Sequence, residues 1–188
     1  MKHGLITLGA VAVAAALSLP ATVHAADVPS KTSTATLQVN APAGNLTLEQ
    51  APSFTFSTDK AVNDAALPNT ATDNLVKVDD ERGTGAGWTL NLQVGKFADL
   101  ASQPGYFSWS GNEASAVAPN VAPTTSNVTQ TVPGSDAVTL ETVAPKTGTG
   151  ETTLAMKNVT LTSVTLPAIN ATYTADLTWT LGTTETSN

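Results

Sequence analysis

The sequence predicts an all-β fold, an antiparallel β-sandwich or barrel-like sandwich with long loops. Threonine is the commonest residue beyond the first 25 positions, and helix formers are sparse there, a composition that favours strands. Apolar side chains recur with period two in short runs separated by Gly, Pro and Asn, whereas no segment has the helical period. In chain order the alternating runs are residues 35–39, 46–48, 54–56 and 76–78, followed by Trp88-Thr89-Leu90-Asn91-Leu92-Gln93-Val94, where apolar side chains take one face and polar ones the other. The same division recurs over 173–181: Tyr173, Ala175, Leu177, Trp179 and Leu181 share a face, and Thr174, Asp176, Thr178 and Thr180 share the opposite one. Further strands are expected over 138–142, 153–156 and 159–166. About nine short strands without βαβ alternation point to a sandwich or barrel. Residues 59–73 and 111–135 show no period and are expected to be long loops, the second carrying Pro119, Pro123 and Pro133.

The N-terminus has a different character. Lys2 supplies a positive charge, residues 5–19 form an uncharged Ala/Leu/Val run, Pro20 breaks it, and Val23-His24-Ala25 places small residues where a signal peptidase reads them. Residues 1–25 are therefore expected to be a secretory signal peptide, cleaved after Ala25 or Ala26, and 26–188 a single domain. The apolar run is shorter than the roughly 18 to 20 residues that span hydrocarbon, so a membrane-embedded chain is not expected.

What the remaining chain lacks narrows its chemistry. Both histidines, His3 and His24, lie in the leader, and the sequence contains no cysteine. Ser-His-Asp and Cys-His catalysis are excluded, as are zinc sites built from imidazole or thiolate. Asp79-Asp80-Glu81 offers carboxylates but no calcium-loop spacing of alternating Asp, Asn and Gly. No catalytic residue, metal or cofactor is expected; in this stretch Arg82 is expected to pair with a neighbouring acid, and Gly83, Gly85 and Gly87 to allow a tight turn into the Trp88 strand. Removal of Lys2 leaves seven basic against fifteen acidic residues, a formal charge of −8. With its cations scattered singly, such a chain is a poor partner for nucleic acid. Any glycan it holds must be bound by aromatic stacking and neutral hydrogen bonds.

The candidate contact residues are aromatic. Period two sets Trp88 beside Leu90 and Trp179 beside Leu181 on one sheet face. Either pair can fill a core or form an exposed shelf for a sugar ring or a partner. Tyr106 and Trp109, set between Gly105 and Gly111 next to the long Pro-containing loop, are expected to be partly exposed and to form an aromatic contact.

The stretch Val78-Asp79-Asp80-Glu81-Arg82-Gly83-Thr84-Gly85-Ala86-Gly87-Trp88-Thr89-Leu90, together with Tyr173-Thr174-Ala175-Asp176-Leu177-Thr178-Trp179-Thr180-Leu181, resembles the WxL domain of Gram-positive surface proteins. Two Trp-x-Leu motifs define that family, the first after an acidic-Arg-Gly turn and the second near the C-terminus. The resemblance implies a small single-domain member, non-covalently attached to peptidoglycan at the cell surface. It also implies assembly with a larger membrane-anchored surface protein that carries a WxL-interacting region. Residues 182–188 hold no Leu-Pro sortase signal, apolar tail or basic stop, so covalent attachment by that route is not expected. The alternative is a structural or adhesive subunit that binds a protein by strand addition or an aromatic patch, favoured by Thr-rich strands poor in edge-blocking Lys.

Overall fold

The computed structural model describes residues 37, 44–63, 65–117, 120–168 and 170–184. Apart from Leu37 the described residues belong to one compact unit, Asn40–Asn188. The expected leader and the run over 35–39, save Leu37, lie outside them.

Among the described residues fourteen strands follow one another: β1 Leu46–Gln50, β2 Val62–Asn63, β3 Leu67–Pro68, β4 Leu75–Asp80, β5 Gly87–Val94, β6 Tyr106–Ser108 and β7 Glu113–Ala116, then β8 Thr124–Thr125, β9 Gln130–Thr131, β10 Val138–Val143, β11 Gly150–Ala155, β12 Thr160–Thr162, β13 Val164–Thr165 and β14 Leu177–Thr184. The described residues contain no helix. Two four-stranded sheets, β1-β4-β11-β7 and β14-β5-β10-β8, form the body, with a third four-stranded sheet of shorter strands, β3-β12-β6-β9, and a ribbon β13-β2. Each pairing is antiparallel. β1 approaches β14, and β7 approaches β8. The two large sheets therefore meet along both edges, a barrel-like sandwich.

Alternation supplies the core. Trp88, Leu90, Leu92 and Val94 from β5 meet Val76 and Val78 from β4 and Leu154 from β11, all buried. β6 adds Phe107, with Trp109 just beyond it, their ring centroids 6.0 Å apart. Phe54 and Phe56 present ring edges to Phe107 at 5.3 and 5.9 Å, within the usual range for edge-to-face aromatic pairs.

Several expectations are corrected. Trp109 is 3% exposed, part of the core and not an aromatic contact on the surface. The period of two runs through Phe107 and Trp109, and the flanking glycines do not interrupt it; Tyr106, on the opposite face, is 45% exposed as expected. Residues 111–135 are not a structureless loop, because β7, β8 and β9 fall within them. Their Ala, Ser and Thr side chains are too small to mark a period, although Ala114 and Ala116 turn inward from β7 while Glu113 and Ser115 are exposed. Residues 59–73 likewise contain β2 and β3. The strand expected over 159–166 is broken at Ser163, whose φ of 52° ends β12 and starts β13. Residues 54–56 are extended but join no sheet: Thr55 N–H donates to Asn69 Oδ1 and Thr55 O accepts from Thr70 N–H, both at 2.8 Å.

Trp88 is 0% exposed and Trp109 3%, whereas Trp179 is only partly buried against the core. Trp88→Ala and Trp109→Ala are each expected to cost about 3 to 5 kcal/mol, and Trp179→Ala roughly half as much. Urea melts of the three variants check this, and a Trp109→Ala protein as stable as the parent would contradict the burial.

Candidate functional site

The two Trp-x-Leu strands are hydrogen-bonded neighbours. β14 pairs with β5 in unbroken register, setting Leu181 opposite Leu90, Trp179 opposite Leu92 and Thr183 opposite Trp88. Trp88 and Leu90 are fully buried, while Trp179 and Leu181 at the sheet edge are partly buried against the core. Tyr106 and Trp109 lie with β6 in another sheet and are not part of this pair of strands.

A closed turn delivers β5. Arg82 donates from Nε and Nη2 to the two carboxylate oxygens of Asp80 at 2.9 and 2.8 Å, and Arg82 N–H donates to Asp80 Oδ1. Arg82 Nη2 also reaches the Ala86 carbonyl at 3.1 Å. The hydrogen bonds that Arg82 donates to the Asp80 carboxylate raise it above its ordinary pKa, and the pair is largely shielded from solvent. Gly83 and Gly85 take φ of 65° and 68°, which side chains other than Gly rarely adopt. A Cβ at Gly87 would collide with Thr184 Oγ1 and the Val143 carbonyl, so glycine there permits three strands to close. Asp80 is thus committed to Arg82, and among the described residues no group of three or more His, Cys, Asp or Glu side chains is placed to hold a metal.

The outer face of the motif sheet is hydroxyl and amide. Thr89, Asn91 and Gln93 from β5 stand beside Thr178 and Thr180 from β14 and Thr139 and Thr142 from β10. Thr139 Oγ1 donates to Asn91 Oδ1 at 2.8 Å, and Gln93 Nε2 to the Ser135 carbonyl at 3.1 Å. These strands contain one charged residue, Glu141, and a bulge removes it from the face. The register between β10 and β5 shifts between Thr139 and Glu141, so Glu141 rather than Leu140 stands opposite Leu90. Its side chain enters the interior, 1% exposed. Glu141 Oε1 and Trp88 Nε1 are both buried without a hydrogen-bond partner. Burial pushes the Glu141 carboxyl up to about 7, because an apolar interior opposes the charged form.

Where β1 and β14 diverge, a groove of about 890 Å³ opens between Ala51–Thr58 and the chain leading into β14, 170–177. Phe54, Phe56, Tyr173, Leu177 and Trp179 are among its rim residues, and the buried Val94, Phe107 and Leu161 line it from the core. Sequence reasoning missed Phe54 and Phe56 as site residues because short alternating runs look the same whether they close a sheet or border a gap. It missed Glu141 because alternation alone places that side chain outside.

Fold and site together define a β-sandwich domain organised around two paired Trp-x-Leu strands. Residues 20–184 match the family model described as WxL domain surface cell wall-binding, and the chain belongs to that family. No curated protein and no solved structure matches it significantly. Among the described residues no helix is long and apolar enough to cross a membrane.

The Glu141 carboxyl gives a pH signature. Its pKa of about 7 in the folded domain exceeds the ordinary 4.5, so between these values the folded state keeps a proton that the unfolded chain has lost. Stability therefore falls as pH rises from about 4.5 to about 7, by on the order of 3 kcal/mol, and is flat with respect to this group above that. Glu141→Gln should abolish this component and raise stability at pH 8. Denaturant melts of both proteins across the range measure the difference, and parallel profiles would refute the burial of an uncompensated carboxyl.

Proposed function

We propose that the chain is an exported, non-enzymatic surface protein held non-covalently on the peptidoglycan of a Gram-positive wall, with the outer face of the motif sheet as its contact surface. The absence of charge from that face carries the reading. The opposite large sheet displays Glu49, Lys77, Asp79, Glu113 and Glu151, with Lys77 paired to Glu151 at 2.9 Å. β14, β5, β10 and β8 display Thr, Asn and Gln, their one carboxylate being buried. A flat array of hydroxyls and amides can exchange hydrogen bonds with sugar hydroxyls and peptide groups without the repulsion that carboxylates meet at an anionic wall. Membership of a wall-binding surface family supports the same reading. So does the lack of His and Cys beyond residue 25, which leaves no imidazole base or thiol nucleophile, while Glu141, the carboxyl pushed up to about 7, is sealed in the interior.

A second reading concerns a protein partner and is favoured by the groove, a separate surface whose apolar base suits side chains better than sugars. In this reading the domain assembles with a larger membrane-anchored surface protein that carries a WxL-interacting region.

Binding to purified sacculi should persist from low to physiological ionic strength, over which the screening length shrinks from about 30 Å to about 8 Å. Thr180→Glu, at an exposed position, should leave the melt unchanged and weaken sacculus binding severalfold. Binding that vanishes with salt, or that ignores the new carboxylate, would show that the wall is held elsewhere or by other forces.

A further inference from the structure

We propose that the open seam beside the second Trp-x-Leu strand accepts one extended segment of a partner polypeptide as an added strand. The inference rests on the partner-assembly reading above and gives that reading its site. Main-chain geometry is the first argument. β14 is an edge strand whose ladder partner is β5, and the residues before it continue the same pairing, with Thr174 O and Asp176 O accepting from Ala98 N–H and Gly95 N–H at 2.8 Å. In an extended chain alternate residues direct their N–H and C=O groups to opposite sides. Those of Tyr173, Ala175, Leu177 and Trp179 therefore point away from β5, towards the β1 side.

Across the groove the pattern is mirrored. Thr55 spends its main-chain groups on Asn69 and Thr70, on the side where β1 meets β4, so those of Phe54 and Phe56 point towards β14. Among the described residues, the main-chain edges at Phe54 and Phe56 and at Tyr173 to Trp179 thus border one groove with no ladder partner between them. The Ala51–Thr58 rim is eight residues long, about 26 Å at ~3.3 Å each, enough for an added strand of about five to eight residues.

Side-chain chemistry specifies the occupant. The base of the groove is formed by core residues, Val94, Leu67, Phe107 and Leu161, so every second side chain of the incoming strand must be apolar. Among the described residues that line the groove Asp176 is the one with a charge and none is Lys or Arg, and the whole chain carries a formal charge of −7. A neutral to basic segment complements it. Edge strands are commonly protected by Lys or Pro, and β14 contains neither.

The test is an NMR titration of the full chain with a short blocked peptide of alternating Thr and Val that ends in Lys. A copy N-methylated at alternate amides and soluble muropeptides serve as competitors. Amide shifts are expected at Phe54, Phe56, Tyr173, Ala175, Leu177 and Trp179, with binding at least about tenfold weaker for the N-methylated copy. Ala175→Pro, which removes an N–H from the free edge, should reduce peptide binding to the same extent while sacculus binding is retained. Equal binding of the two peptides, shifts elsewhere, or no binding would overturn the proposal. So would displacement by muropeptides, which would make the groove the wall site. Loss of sacculus binding by Thr180→Glu with the peptide result intact bears on the wall reading alone, so the two can fail separately.

Discussion

The pairing of β5 with β14 is the constraint on which the rest of the domain depends. Eight residue pairs in unbroken register, from Leu177 with Val94 to Thr184 with Gly87, join a segment near the middle of the sequence to one near its end. Leu181 lies opposite Leu90, and the apolar rows of both strands face inward together. A slip of one residue would turn Trp179 and Leu181 outward and set their threonines against the core. The turn before β5 secures the same register from the other side: the Arg82 guanidinium is bound to Asp80 and the Ala86 carbonyl, and Gly87 lets Thr184 and Val143 approach the start of the strand.

That pairing divides the two motifs by role. In the inner strand Trp88 and Leu90 are surrounded, and their contribution is packing. In the edge strand Trp179 and Leu181 have neighbours on one side, so they remain partly accessible and Trp179 borders the groove. The same short motif thus supplies a core in one copy and a rim in the other. The difference comes from position in the sheet, since the side chains are identical.

The bulge in β10 has a comparable consequence for electrostatics. By moving Glu141 inside, it leaves an uncharged motif sheet and places a carboxyl where it lacks a hydrogen bond to Oε1. An unpaired buried acid costs stability, and the outer face is correspondingly suited to contact with neutral ligands. The large sheet on the other side keeps its charges in water, partly as the Lys77–Glu151 and Lys157–Glu113 ion pairs, which add little to stability at exposed positions.

Much of the fold was legible in the sequence. Strands with large alternating side chains, above all Trp88–Val94, declared both their type and their buried face because period two is a local property of an extended chain. The Asp80–Arg82 pairing and the glycine turn were legible for the same reason, being contacts within a few residues. Strands built of small side chains, such as Glu113–Ala116, left no such mark, and Trp109 was misplaced because its glycine neighbours outweighed the alternation with Phe107. By itself the sequence determined the all-β class, the two apolar strand faces, the acidic charge and the motifs that mark the family. Only the tertiary structure decided that the motif strands are neighbours, that Glu141 turns inward, and that Phe54, Phe56 and Trp179 border one groove. Those outcomes depend on register, a bulge and the closure of sheet edges, which bring distant residues together and leave no period in the chain.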